Sequence, residues 1–292
     1  MRILLLGKTG FVGRNLVEAL AQDSSLDIYA PSHRELDVLD ERAVVEALHA
    51  TSYDVVLNCL DRHAPAADAA YAEERLRMYF NLAHHADLYG RMLYFGSGAE
   101  YGRQLPLIRV SEQDFGREIP TDSYGFALFQ MATHTLQSAN IYNFRLFGIF
   151  GPYELWRQRF ISNCVCKALF GYPLTIRQDR MMDFLYTDDL CKIIRWALDA
   201  ELRFHTYNAT SGQGYRLSNI GEKIVRQSGC ELPIYIANEG FASEYTSDNT
   251  RLVTEMPHLL PTEPIDESIR KLFAFYRATK DTLDRESLLY NL

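Results

Sequence analysis

Short apolar runs and amphipathic stretches alternate along the first half of the chain. Ile3, Leu4, Leu5 and Leu6 are consecutive and apolar, as in a strand covered on both faces. Residues 12–22 carry apolar side chains at helical spacing, which predicts a helix. The alternation continues with strands predicted at 26–29, 54–58, 91–95 and 141–147, and helices at 41–50, 73–89 and 124–138. Residues 96–102 read as a loop, and the last strand ends at Gly151-Pro152. Strands separated by helices need right-handed crossovers, which leave the strands parallel. A doubly wound α/β sheet is therefore predicted. Beyond Pro152 the rhythm changes. Helices are predicted at 160–170, 188–198 and 218–228, with a short strand at 174–176 and one at 206–208 that rejoins the sheet. The remaining segments suggest a smaller C-terminal mixed α/β cap.

The first strand runs straight into Gly7-Lys8-Thr9-Gly10-Phe11-Val12-Gly13 and then into a helix. Glycines in such a turn allow close backbone approach to a pyrophosphate, and the helix start offers N–H groups and a positive dipole end. The context is that of a Rossmann-type fold binding a nicotinamide dinucleotide through all seven turn residues. On this reading residues 1–152 form the NAD(P)-binding unit, with contributions from about 183–210, and 153–292 form mainly the substrate-binding cap. The end of the second strand discriminates between cofactors. An acid there would bind the ribose 2′-OH of NAD, but the sequence offers Ala30-Pro31-Ser32-His33-Arg34. Lys8, His33 and Arg34 could neutralise a 2′-phosphate, so NADP is favoured over NAD. Asp37 and Val38 are placed to approach the adenine, although a helix-capping role for Asp37 is also open.

Composition narrows the partners. The net charge of −8 and the lack of a basic cluster argue against nucleic acid. No apolar run approaches the roughly 20 residues of a membrane span, and the opening apolar run is too short for a signal peptide. The five cysteines, Cys59, Cys164, Cys166, Cys191 and Cys230, are odd in number and scattered. They read as structural thiols of a cytoplasmic protein, with no metal site. The adjacent His84 and His85 cannot easily face one metal and read as solvated or interface residues.

The chain resembles the extended short-chain dehydrogenase/reductase family, in particular its nucleotide-sugar epimerases, dehydratases and reductases. The likeness covers nearly the whole chain. It rests on the glycine turn, residues 54–58, Gly96-Ser97 before Tyr101-Gly102, Ser123-Tyr124-Gly125, Arg145-Leu146-Phe147 with Gly151-Pro152, and residues 183–190. The first thirteen residues are similar to those of dTDP-4-dehydrorhamnose reductases, and Arg34-Glu35-Leu36-Asp37 is similar to GDP-fucose synthases. The resemblance implies a Ser/Thr that hydrogen-bonds the reacting oxygen, a tyrosine that exchanges a proton with it, and a lysine four residues after the tyrosine. That lysine lowers the tyrosine pKa and holds the nicotinamide ribose. Ser97 takes the first place and Tyr124 the second, but the lysine place is Leu128.

A free tyrosine titrates near 10. Without a neighbouring cation Tyr124 stays a neutral phenol, able to donate a proton during ketone reduction but unsuited to starting an alcohol oxidation. The acid pair by which relatives eliminate water is replaced by Gly98 and Ala99, which argues against dehydration. Ala99 also stands at the cysteine place of GDP-fucose synthases, and residues 153–166 lack a histidine, which argues against that family's epimerisation. Glu100 reads as a loop residue. Diphosphate-bearing substrates call for cations, and Arg157, Arg159, Arg177 and Arg180 are available, with Arg159 and Arg180 the substrate-binding candidates. The helices at 73–89 and 124–138 correspond to those that make a homodimer interface in relatives, with Met78, Phe80, Leu82, Phe129 and Met131 as apolar surface. The expected activity is reduction of a 4-keto-6-deoxy nucleotide sugar in surface-polysaccharide synthesis. A cofactor-binding protein without turnover and a 4-epimerase are the alternatives.

Overall fold

A computed structural model describes residues 1–61, 69–257 and 262–289. Its strands are β1 (Arg2–Leu6), β2 (Asp27–Tyr29), β3 (Tyr53–Asn58), β4 (Tyr89–Ser97), β5 (Leu107–Val110), β6 (Ile141–Leu146), β7 (Gly148–Phe150), β8 (Leu174–Asp179), β9 (Met181–Tyr186), β10 (Thr206–Asn208), β11 (Gly214–Arg216), β12 (Ile234–Phe241) and β13 (Tyr245–Ser247). The helices are α1 (Phe11–Leu20), α2 (Glu41–Ala50), α3 (Ala69–Ala83), α4 (Ser123–Thr135), α5 (Phe160–Leu169), α6 (Thr187–Ala197), α7 (Leu217–Ser228), α8 (Thr250–Glu255) and α9 (Ile265–Ala278).

Six strands form one parallel sheet in the order β10-β6-β4-β3-β1-β2. The continuous apolar runs of its strands are explained by burial on both faces. Ile3, Leu5, Val55, Leu57, Leu93 and Phe95 face one core with Leu16 of α1 and Ile193 and Ile194 of α6. The alternate residues Leu4, Leu6, Val56, Met92 and Tyr94 face a second core with Val44 of α2, Tyr79 and Leu82 of α3, and Leu128 and Met131 of α4. This is the Rossmann-type layered sheet.

A third core joins α5, α7 and α9 to β8 and β9 through Cys164, Ile176, Ile220, Ile269 and Phe273. Here a second sheet runs β11-β9-β13-β5, with β7 also paired to β9. Residues 107–110 thus pair with a strand that follows them by well over a hundred positions, and this brings the loop after β4 against the C-terminal part of the chain.

The helix predicted at 73–89 differs most from the sequence reading: it starts at Ala69 and stops at Ala83, and β4 begins at Tyr89. Tyr89 pairs with Tyr53 in the sheet, and its buried hydroxyl donates to the Leu82 carbonyl at 3.0 Å, which satisfies an acceptor at the helix end.

Candidate active site

The C-terminal ends of the parallel strands open into a cavity of about 810 Å³, the size of a small-molecule site. Its lining begins at Thr9–Val12, passes Asn58 and Ser97 at the ends of β3 and β4, and reaches Arg159, Arg180 and Tyr245. In an open α/β sheet ligands bind where the strand order reverses, here between β1 and β3.

At the first end of the cavity the glycine turn is required sterically. Gly7 has φ +88°, and a Cβ there would lie 2.7 Å from the Cys59 carbonyl oxygen. A Cβ on Gly13 would strike the Gly7 carbonyl, so the helix could not pack this close to the strand. Gly10 caps α1 with no side-chain hydrogen bond, so no cap side chain covers the first amides of the helix. This cradle fits the pyrophosphate of a dinucleotide. The Asn15 side-chain amide donates to the Pro152 carbonyl at 2.9 Å and ties α1 to the Gly-Pro turn.

The loop after β2 corrects one sequence inference. No acid was expected there, but the chain folds back so that Glu35 accepts from the Ser32 N–H at 2.6 Å and lies 3.9 Å from Lys8 Nζ. Lys8 also donates to the Ala30 carbonyl at 2.6 Å. His33 and Arg34 are exposed, and Asp37 accepts from the Leu39 N–H at 3.0 Å as a turn residue. Val38 packs in the core while its carbonyl accepts from Asn81. None of Ser32, His33, Arg34, Asp37 and Val38 lines the cavity, among the described residues.

Ser97 and Tyr124 are brought together. Ser97 ends β4, and its Oγ accepts from the Ala99 N–H at 3.2 Å. Tyr124 lies in the first turn of α4, which Asp122 caps by accepting from the Gly125 N–H at 2.8 Å. Burial raises the Tyr124 phenol above its ordinary range, while Arg75, the nearby Ser97 hydroxyl and Arg103 pull it down and Asp61 pushes it up. Leu128, one turn later, is fully buried in the core beside Met131 and Ile141. None of the lysines lines the cavity, among the described residues.

The sequence reading missed several cavity residues. Arg75 projects from α3 and is 6% exposed; Tyr71, a turn earlier, stacks on Tyr124 with centroids 6.2 Å apart. Arg103 lies with its guanidinium carbon 5.7 Å from the Tyr124 ring and pairs with Asp122 at 3.0 Å. Tyr245 of β13 lines the same cavity as Ser97, and burial pushes its phenol up to about 12. A signal existed for Arg75, which sits on the buried stripe of α3 with Tyr71, Tyr79 and Leu82.

Of the arginines named for a diphosphate, Arg159 and Arg180 line the cavity. Arg180 stands 5.9 Å from the Tyr245 ring, and its buried Nε has no hydrogen-bond partner among the described residues. Arg157 instead pairs with Asp284 at 3.3 Å, and Arg177 is exposed on β8. Glu100 is no loop residue in the ordinary sense. Its carboxylate and the Arg145 guanidinium are both fully buried and meet at 2.5 Å. All five cysteines are free thiols, with Cys230 exposed. His85 meets Glu41 at 3.0 Å, and His84 packs on Phe80. Leu82 and Met131 are buried within the chain, and Phe129 stacks on Phe115. Among the described residues no helix is long and apolar enough to cross a membrane.

With this geometry in view, the NAD dependent epimerase/dehydratase family matches residues 3–210. The chain belongs to that family. Solved structures agree on the fold of this family member. A GDP-L-fucose synthetase from Naegleria fowleri is 11% identical with a TM-score of 0.86, covering 97% of this chain and 95% of that one. GDP-mannoheptose C4 reductase from Campylobacter jejuni, solved with NADP bound, is 18% identical at TM-score 0.78, covering 94% and 98%. The Bordetella bronchiseptica enzyme WbmG, solved with NAD and UDP, is 19% identical at TM-score 0.81, covering 96% of each.

Proposed function

We propose that this family member is an NAD(P)-dependent reductase of a 4-keto nucleotide sugar, with Tyr124 as proton donor. The observation that carries the reading is the pairing of Ser97 with Tyr124 in a cavity that starts at the glycine turn. The dinucleotide, when bound, supplies the hydride. The chain's part is to hold the ketone oxygen with the Ser97 hydroxyl and to protonate it from Tyr124 as negative charge develops. A phenol held above its ordinary range is protonated at neutral pH, which suits donation and disfavours the initial oxidation of an epimerase. Gly98 and Ala99 offer no acid pair for eliminating water. Arg159 and Arg180 are the groups assigned to the substrate diphosphate. The structures of relatives with NADP, or with NAD and UDP, support a nicotinamide cofactor and a nucleotide-bearing substrate.

The test is a fluorescence titration with NADPH and NADH, followed by oxidation of the bound cofactor by a panel of 4-keto nucleotide sugars. Turnover with one of them is expected. Binding without oxidation by any member of the panel would overturn the reading. It would favour a cofactor-binding protein without turnover, for which the buried Leu128 is the supporting observation.

A further inference from the structure

We propose that Arg75, entering from α3, supplies beside the Tyr124 phenol the positive charge that the lysine place, filled by Leu128, does not. Arg75 is thereby a positioning residue that acts through Tyr124, and its catalytic meaning rests on the reading of Tyr124 as proton donor.

The guanidinium carbon of Arg75 lies 5.8 Å from the centre of the Tyr124 ring. The group is held on the cavity wall from three sides. Nη2 donates to the Phe95 carbonyl of β4 at 3.2 Å, and Nη1 donates to the Tyr71 hydroxyl at 3.0 Å and to the Asp61 carboxylate at 2.5 Å. Its Nε is buried and has no hydrogen-bond partner among the described residues. A cation this desolvated is costly to keep, and the half-exposed Asp61 carboxylate is the one counter-charge bonded to it among the described residues.

The other groups around the phenol decide how much of that charge it feels. Asp61 opposes Arg75, but its carboxylate is half-exposed and so partly screened. Arg103 is at a similar distance, 5.7 Å, yet its side chain is 41% exposed and paired with Asp122. The Ser97 hydroxyl also pulls the phenol down, and the Tyr71 and Tyr245 phenols are neutral neighbours. Of the two cations, the buried Arg75 acts through the less screened path. Sequence spacing gives no hint of this, because the charge comes from a different helix than the one that carries Tyr124.

The experiment follows Tyr124 itself. Protein labelled with carbon-13 at tyrosine Cζ is titrated by NMR, and the Tyr124 signal is assigned by its loss in Tyr124→Phe. Asp61→Asn removes the opposing charge while keeping an acceptor, and should move the titration midpoint down by about one pH unit. Arg75→Leu should move it up by about one to two pH units, and Leu128→Lys added to that variant should bring it back down. Arg103→Leu should move it less than Arg75→Leu. An unmoved midpoint in Arg75→Leu, or one that does not fall in Asp61→Asn, overturns the proposal. If Arg75→Leu does not fold, Arg75→Gln, which keeps donors toward Phe95 and Tyr71 without the charge, carries the test, and an unmoved midpoint there overturns the proposal equally. The titration needs no substrate. Absence of keto-sugar turnover together with the expected shifts would refute the reductase reading and leave the charge assignment standing.

Discussion

Replacing Glu100 by Gln removes one charge from an ion pair of which neither side chain is exposed. The carboxylate accepts from the Ser97 N–H at 3.1 Å, from Asn143 Nδ2 at 3.1 and 3.0 Å, and from Arg145 Nε at 2.5 Å. Among the described residues Arg145 otherwise meets only weak partners, the Tyr101 hydroxyl at 3.4 Å and the Tyr101 and Phe115 ring faces at 5.1 and 4.8 Å. Its Nη2 is buried without a hydrogen-bond partner among the described residues. Glu100→Gln therefore leaves a buried guanidinium with no counter-charge, a loss of about 3–5 kcal/mol. That is a large share of the roughly 5–15 kcal/mol that holds a typical domain. Arg145→Met removes the charge the carboxylate was there to meet. The double variant should then cost much less than the sum of the two single ones, with a coupling of about 2 kcal/mol or more. Urea unfolding of the four proteins, followed by tryptophan fluorescence, measures the cycle, provided the dependence on urea is unchanged. A Glu100→Gln loss below about 1 kcal/mol, or additivity across the cycle, would refute the idea that the pair is held by mutual charge.

Three further outcomes are expected. Tyr124→Phe should cut kcat by about 10²–10⁴-fold and leave the NADPH titration intact; retained turnover removes Tyr124 from the chemistry. Burial pushes Glu154 up to about 8 against a hydrogen bond from Ser162. A carboxyl whose folded pKa is raised contributes stability that is full below the ordinary carboxylate range and is lost as pH rises through about 8. The melting temperature should fall over that window in the wild type and stay flatter in Glu154→Gln; parallel curves would contradict this. Glu35→Gln removes a negative charge beside Lys8 and should favour NADPH over NADH. The effect should be no more than about fivefold, because the carboxylate is largely solvated, and an unchanged affinity ratio would place the 2′-position elsewhere.

What the sequence made legible was contiguous. Strands β1, β3 and β4 are apolar on both faces because helices cover both sides, and that pattern is local. The glycine turn is likewise one continuous segment whose steric demands are met by its own neighbours and Cys59. β5, β9, β11, β12 and β13 escaped notice because short strands are stabilised by partners far away, as Leu107 is by Tyr245. The same reason hid half of the candidate site. Arg75, Arg103 and Tyr245 come from three separated elements, and only the folded sheet brings them to Tyr124. Glu100 was misread because its immediate neighbours, Gly98, Ala99 and Tyr101, resemble a surface loop. Its partners Asn143 and Arg145 lie on β6, and Gly96 leaves the room its carboxylate fills.

The resemblance gives the lysine of relatives two tasks, and on the Arg75 proposal they separate in this chain. Charge beside the phenol can come from any direction, since it acts through space and requires only a short, poorly screened path. Arg75 meets that condition from α3. Holding the nicotinamide ribose requires a donor at a defined place, and Arg75 is already engaged by Phe95, Tyr71 and Asp61. If Arg75 takes over only the first task, cofactor affinity must rest on the glycine turn and the loop after β2. Variants at the Glu35–Lys8 pair should then change cofactor affinity without moving the Tyr124 titration, and Arg75 variants should do the reverse. A chain in which both kinds of variant moved both readings would have kept the two tasks joined.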